Sequence, residues 1–327
     1  MKIIVVDNLS FAGNLQNLKN IPKNKYQFIK ADINNTPLMK KIFKHSDYVV
    51  NFAGETHVDR SIHQSSLTFL KSNVMGVRSL LEALRVSPNI LVFQHVSTDE
   101  VFGSLPLNSK KKFNENSPYQ PNSPYSASKA AGDLFCRSYI QTFKLPVIIV
   151  HPSNNYGPYQ LPEKLIPFFT LRALKNLPLP IYGHGKHIRD WLHVDDCSRG
   201  IAVLIQKGKL GQSYCLAGEN EVQNLEITKM ILNILKKPES LIAFVEDRPG
   251  HDSRYSLDSS KIKKLGFEPN YSLEKTLPDV VKWYYQDSDW VNKVLKEKPK
   301  LNKHLNLKSL KYEHKGSYFG RGERHST

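Results

Sequence analysis

Two short stretches of the chain carry residue types suited to acid–base chemistry. In "HVSTDEVFG" an apolar run ends in Ser97, Thr98, Asp99 and Glu100, and 27 residues after Thr98 comes Tyr125-Ser-Ala-Ser-Lys129. A phenol with a pKa near 10 is a poor base at neutral pH, and a neighbouring ammonium favours its phenolate. Four residues apart on a helix, Tyr125 and Lys129 share one face. A phenol tuned in this way takes a hydroxyl proton while hydride leaves the same carbon. The spacing by itself is common: 15 Tyr and 35 Lys in 327 residues give roughly one or two such pairs by chance, and there are four. Only Tyr125/Lys129 sits one turn into a capped helix and shortly after a strand with a polar end. The adjacent carboxyls of Asp99 and Glu100 add a division of labour, one protonating a leaving oxygen while the other removes a carbon-bound proton. An Asp-Glu pair standing alone would read as a helix start.

The elements that must position these groups are legible as apolar, β-branched runs at 2–7, 26–32, 47–54, 89–98 and 145–157. Near-continuous apolar strands alternating with helices indicate an α/β, Rossmann-like doubly wound parallel sheet covered on both faces. Ligands bind such sheets at the carboxyl ends of the strands, where Thr98 to Glu100 fall. In 65–85, Leu67, Leu70, Val74, Val77, Leu81 and Leu84 recur at helical spacing and predict a regular helix lying on the sheet. Ser123 and Pro124 supply the N-cap and first position of the next helix. Beyond about residue 157 the chain becomes rich in Pro, Gly and aromatics, which predicts a smaller, interleaved second lobe. The expected division is 1–157 with 190–222 returning to it, 158–189 with 223–290, and a basic tail at 291–327.

The bulk numbers, 40% hydrophobic and 23% charged, suit a globular chain. No apolar run approaches the roughly 18 residues of a membrane span, and the N-terminal run lacks a signal peptide's cleavage site, so no membrane partner and a cytoplasmic location are expected. Cys136, Cys197 and Cys215 have neither metal-ligand spacing nor an even count, so no metal site and no disulfide framework are expected. The net charge is +16, of which the tail carries +7 from ten Lys/Arg against three Glu. It lacks the interleaved aromatics or groove-reading pattern of a nucleic-acid binder, and a solvated extension is the expectation.

Taken together, "AGETHVDRS" (53–61), "STDEVFG" (97–103), "SPYSASKAAGD" (123–133), "SNNYGPYQLPEKLIP" (153–167), "YGHGKHIRDWLHVDD" (182–196) and "DRPGHDSRY" (247–255) resemble the dTDP-glucose 4,6-dehydratases, a nucleotide-sugar-modifying branch of the extended short-chain dehydrogenases/reductases. The likeness runs in order from residue 1 to about 290. It implies an NAD-dependent lyase in which Tyr125, tuned by Lys129, takes the sugar O4 proton with Thr98 hydrogen-bonded to O4. Glu100 removes the C5 proton, Asp99 protonates the departing O6, and the product is a 4-keto-6-deoxy sugar. Around NAD the resemblance places Asp7, Asn8, Leu9 and Ser10 at the adenosine and Asp32 and Ile33 at the adenine. It places Phe52, Ala53, Gly54, Glu55 and Ser72 at the ribose and nicotinamide, with Asn155, Tyr125 and Lys129 nearby. Around the nucleotide sugar it places Thr56, Thr98, Asn154, Lys164, Leu165, Pro180, Ile181, Tyr182, Arg189, Asn224, Asp247, Arg248, Pro249, Gly250 and His251. Arg189 and Arg248 suit a diphosphate. A homodimer is implied as well.

The chain also departs from this pattern. Asp7 ends a strand as the acid of a second Rossmann strand does, yet the family's first strand and Gly-x-x-Gly-x-x-Gly turn have no counterpart in the 327 residues. Weak folding or weak NAD binding by this exact chain, and a gene product starting upstream, are the corresponding expectations. Smaller departures are His151 for Arg, Asn8 for Lys, Gly54 for Ala and Ser253 for Arg. They leave open a 4,6-dehydratase acting on another nucleoside diphosphate sugar, or an inactive nucleotide-sugar-binding remnant.

Overall fold

The computed structural model describes residues 2–298 and 301. The first elements are β1 (Ile3–Asp7), β2 (Tyr26–Lys30), α1 (Thr36–Phe43) and β3 (Tyr48–Asn51), then α2 (Val58–His63) and α3 (Leu67–Phe69). A π-helical segment, Leu70–Gly76, leads into α4 (Val77–Leu84), β4 (Val92–Val96), α5 (Pro124–Phe143) and β5 (Val147–Pro152). The chain continues with β6 (Asn154–Tyr156), α6 (Leu165–Leu174), β7 (Leu179–Tyr182), β8 (Ile188–His193), α7 (Val194–Lys207) and β9 (Ser213–Leu216). It ends with β10 (Glu221–Gln223), α8 (Asn224–Ile234), β11 (Ile242–Val245), α9 (Ser260–Lys263), α10 (Leu273–Gln286) and α11 (Ser288–Glu297).

Every β-branched run expected as a strand is one. β3, β4, β5 and β9 form a parallel sheet in the order β3-β4-β5-β9, and β1 pairs with β2, also in parallel. Alternation along β5 explains the two covered faces. Val147 and Ile149 pack with Met39 and Phe43 of α1 and Val77 and Leu81 of α4, while Ile148 and Val150 pack with Ile201 and Leu204 of α7. This is the doubly wound arrangement read from the sequence. Among the described residues no strand pairs with the second edge of β1 or of β3, so the sheet stands as a two-stranded and a four-stranded piece.

A second hydrophobic core is formed by α6, α8, α10 and α11 around Ile166, Leu179, Trp191, Ile231, Val281 and Tyr284. Its strands are short: β7 pairs with β11, and β8 lies between β6 and β10. The segment read as a tail begins as α11, whose Val291 and Val294 are fully buried in this core. The remainder of the expected tail lies outside the described residues.

The regular helix expected over 65–85 is the one element that differs. The π segment changes the helical phase, so Val77, Leu81 and Leu84 are buried whereas Leu67 and Leu70 are exposed. Its cause is tertiary: Asn73 turns inward, accepts from Glu55 N at 2.8 Å, and donates to Glu55 O at 3.0 Å and Ser128 Oγ at 2.8 Å. Those bonds tie the loop after β3 to α5, the two pieces of chain that carry the site.

Candidate active site

Two clefts open at the carboxyl ends of the parallel strands. The first, of about 550 Å³, is walled by the ends of β1, β2 and β3. Asp7, Asn8, Leu9, Ser10, Asp32, Ile33, Phe52, Ala53, Gly54, Glu55 and Ser72, which the resemblance assigned to NAD, all line it. Thr56, expected at the substrate, lines this cleft instead. Asp7 Oδ1 accepts from Leu9 N at 2.6 Å, holding the turn after β1, and Leu9 takes a positive φ of 56°. Burial raises the Asp32 carboxyl, but hydrogen bonds from Asn34 and Asn8 outweigh it and keep the group below its ordinary value. Asp32 after β2, Asp7 at the end of β1, and the exposed ring of Phe52 fit an adenosine with its ribose hydroxyls.

The second cleft, of about 230 Å³, lies between the lobes and contains Glu100, Tyr125, Asn154, Asn155, Lys164, Leu165, Pro180, Ile181, Tyr182, Arg189, Asn224, Arg248 and His251. Glu100 Oε2, Asn154 Oδ1, Asn224 Oδ1, Trp191 Nε1 and Arg248 Nε are buried there without hydrogen-bond partners. A concentration of unpaired polar atoms in one concave place is what a polar ligand satisfies. Arg189 is fixed from behind, donating to Ile188 O at 2.7 Å and Asp252 O at 2.9 Å with its guanidinium 4.1 Å from the Tyr255 ring centre. Arg248 approaches Asp59 at 3.7 Å. Asp247, Pro249 and Gly250 do not line the cleft. Gly250 turns the chain with φ 64°, where a Cβ would come within 2.7 Å of Asn122 O.

Thr98, Asp99 and Lys129 lie buried behind this wall. Thr98 caps the short 3-10 turn Asp99–Phe102, accepting from Glu100 N, and donates to Asp99 Oδ1 at 3.1 Å. Burial, reinforced by the Glu100 carboxylate, holds the Asp99 carboxyl well above the usual range. Burial also raises Glu100, opposed by Arg248, Lys164 and Arg189. The two carboxyls therefore occupy different environments, as their chemistry requires.

The Tyr125/Lys129 pair differs from the sequence expectation in one respect. Ser123 and Ser126 form the capping box that starts α5 and sets Tyr125 on its first turn. Lys129 Nζ, however, donates to Val96 O at 2.8 Å, and burial lowers its pKa. The Tyr125 phenol is raised by burial and by Glu100, while a hydrogen bond with Thr98 pulls the other way. One turn beyond Lys129, Asp133 accepts from Ser97 Oγ at 2.7 Å and meets His151 Nε2 at 3.1 Å and His95 Nε2 at 3.3 Å. His151, which departs from the family's Arg, is thus buried against Asp133 and Tyr119 and lines neither cleft.

Sequence reasoning did not assign His57, Asp59, Gln160, Glu163, Phe168, Phe169, Trp191 or Tyr255 to the cleft. His57 and Asp59 fall inside the quoted "AGETHVDRS", Gln160 and Glu163 inside "SNNYGPYQLPEKLIP", Trp191 inside "YGHGKHIRDWLHVDD" and Tyr255 at the end of "DRPGHDSRY", so the motifs held the signal, whereas Phe168 and Phe169 lie just beyond them. Glu163 is raised to about 7 by burial, with Glu55 and Asp59 adding to the rise and Lys164 and Arg60 opposing it.

A Rossmann-like sheet ending at an acid-lined cleft, with a helix-borne Tyr and Lys four apart beneath a second cleft rich in unpaired polar atoms, defines an extended short-chain dehydrogenase/reductase. The protein-family model described as GDP-mannose 4,6 dehydratase matches residues 1–280. The dTDP-glucose 4,6-dehydratase of Xanthomonas campestris pv. campestris is 43% identical over 316 residues, covering 90% of this chain and 89% of its own. That of Salmonella typhimurium is 41% identical over 318 residues, covering 89% and 88%. Among solved structures, DesIV, a dTDP-glucose 4,6-dehydratase from Streptomyces venezuelae with NAD and TYD bound, has 42% identity and a TM-score of 0.85, covering 88% of this chain and 89% of that one. The chain belongs to the dTDP-glucose 4,6-dehydratase family, whose members are NAD-dependent lyases.

Proposed function

We propose that this chain converts dTDP-glucose to dTDP-4-keto-6-deoxyglucose and water. The observation that carries the reading is the meeting of Glu100 and Tyr125 at one cleft, with Asp99 buried beside Glu100 and its carboxyl held well above the ordinary range by that burial and by Glu100. NAD, when bound, would supply the acceptor and donor of a hydride, and the residues of the first cleft, Asp7 to Ser10, Asp32 and Ile33, Phe52 to Glu55 and Ser72, would hold it, with Asn155 of the second cleft assigned to it as well.

The remaining work falls to side chains of this chain. Tyr125 takes the O4 proton, and Thr98, already hydrogen-bonded to the phenol, holds O4 in line. A C4 ketone acidifies C5, and Glu100 removes the C5 proton. Asp99 gives its proton to the departing O6, which leaves as water. Lys129 lies beneath the site, where burial lowers its pKa and Asp133 opposes that shift. Lys164, Arg189 and Arg248 supply cationic partners for the diphosphate, and Asn154, Asn224 and Tyr182 supply polar ones.

The division into a cofactor lobe and a nucleotide-sugar lobe, and assembly as a homodimer, belong to the same proposal. So does a cytoplasmic location, which the three buried free thiols suit. The test is a panel of dTDP-, UDP- and GDP-linked hexoses assayed for the 4-keto product. Preferential turnover of dTDP-glucose supports the reading. Turnover of another nucleoside diphosphate sugar in its place would reassign the substrate, and nucleotide-sugar binding without any turnover would overturn the activity.

A further inference from the structure

Outside the residues that face the bond chemistry, one cluster has the composition of a metal site. His187, Asp247 and His251 each offer one ligand atom, and these atoms lie within 4.8 Å of one another. They come from three places in the chain: the turn before β8, the loop after β11, and the next turn of that loop. His251 Nδ1 lies 2.6 Å from Asp247 Oδ1, and His187 Nε2 lies 3.3 Å from Asp247 Oδ2. The two imidazoles stack with ring centres 3.6 Å apart, and His184 stacks on the outer side of His187 at 5.3 Å. Gly183, with φ 54°, lets the carboxylate approach, since a Cβ there would come within 2.8 Å of Asp247 Oδ2.

We propose that His187, Asp247 and His251 bind one divalent transition-metal ion at the rim of the nucleotide-sugar cleft. Two imidazoles and a carboxylate are the donor set that such ions prefer, whereas Mg²⁺ and Ca²⁺ seek several oxygens. Metal–ligand bonds of about 2.0–2.2 Å in a tetrahedral site put ligand atoms roughly 3.3–3.6 Å apart, so the widest separation in the cluster, within 4.8 Å, must close while the 2.6 Å His251–Asp247 contact opens, each by about 1 Å. The half-exposed Asp247 side chain provides that movement. His187 is buried and its ring is held by stacking on both faces, so the most constrained ligand is already in place. At present each imidazole nitrogen faces a carboxylate oxygen, and an ion entering between them displaces whatever proton is shared there. Three protein ligands leave a coordination position open, and His251 also lines the cleft, so an ion here adds positive charge next to Arg189 and Arg248.

The experiment uses the full chain, stripped of metal with a chelator and titrated with Co²⁺ alone while visible absorption is recorded. One saturable equivalent giving ligand-field bands, displaced by Zn²⁺, is the expected result. His187→Asn weakens it by at least about tenfold, as does the near-isosteric Asp247→Asn, in variants whose circular dichroism matches the parent. Absence of a saturable spectrum in the parent chain, or an unchanged titration in both folded variants, would overturn the site. Because the readout is the cobalt spectrum and not turnover, failure here is distinguishable from failure of the proposed activity.

Discussion

Asp99 and Glu100 are neighbours in sequence, and the proposed function gives them different tasks. Burial, reinforced by Glu100, holds the Asp99 carboxyl well above its ordinary value, while Glu100 lines the cleft and is raised by burial against the opposing pull of Arg248, Lys164 and Arg189. Glu100→Gln therefore removes the base and also the charge that helps raise Asp99, leaving burial to hold the acid above its ordinary value. Product formation should fall by about 10²–10⁴, and exchange of the C5 hydrogen with deuterated water should disappear in the same variant, measured by mass spectrometry. In the parent, the acidic limb of the pH–rate profile should lie above the ordinary Glu value of about 4.3, since burial raises Glu100 and the base works only when ionised. Glu163 makes a different prediction. Its pKa is raised in the fold from 4.5 to about 7, so the folded chain holds a proton there that the unfolded chain releases. That contribution is complete below pH 4.5 and is lost as the pH rises through 7. Glu163→Gln should accordingly leave thermal stability unchanged near pH 4 and raise it at pH 8, by about 3 kcal/mol at most. An equal gain at both pH values would show that charge burial is not its cause.

At the scale of elements, the strands were legible because burial on both faces requires continuous β-branched runs, and five such runs became β1 to β5. The start of α5 was equally legible, since Ser123 and Pro124 act locally. The π segment was not, because its cause is Asn73 bonding to Glu55 and Ser128, residues 18 and 55 positions away. The cleft was half legible for the same reason: Thr98 to Glu100 and Tyr125 follow from strand end and helix face, while the burial of Asp59, Glu163 and Tyr255 against them needs the second lobe in place. Gly132 is where α5 meets the π segment, and a Cβ there would come within 2.6 Å of Asn73 O. Gly132→Ala gains about 1 kcal/mol of helix propensity, but a backbone oxygen cannot swing aside, so a net loss of roughly 1–3 kcal/mol is expected in denaturant melts. The split of the sheet has its own consequence. β4 and β5 are paired on both sides and buried, whereas β1 has a single ladder and Ile3 is exposed. Amide exchange should therefore be faster in β1 and β2 than in β4 and β5, and NAD, which the proposal places in the first cleft, should slow it there. Equal protection of both sheets without NAD would contradict this account.

For the whole molecule, the remaining question is what covers the apolar surface of the first lobe. Leu67 on α3, Leu70 and Met75 on the π segment, and Leu134 and Phe135 on α5 are exposed, and these elements pack side by side. The π segment contributes to this exposure: by shifting the helical phase it turns Leu67 and Leu70 away from the sheet that their spacing assigned them to. Five large apolar side chains on adjoining helical segments exceed the scattered single residues normal on a monomer's surface. A second copy of the chain is the occupant that fits the proposed homodimer, because a two-fold axis through such a face pairs each patch with itself and closes the assembly. The same face backs onto the Tyr125 helix and, through Asn73, onto the loop that walls the first cleft, so pairing would brace the site from behind. Light scattering coupled to size-exclusion chromatography should give a mass near twice the 37.4 kDa of the chain. Leu134→Glu, at a position outside both clefts, should shift it to the monomer mass and lower the melting temperature, since a charge at the centre of an apolar interface is left unpaired. A monomer in the parent chain, or a dimer of undiminished stability in the variant, would place the interface elsewhere.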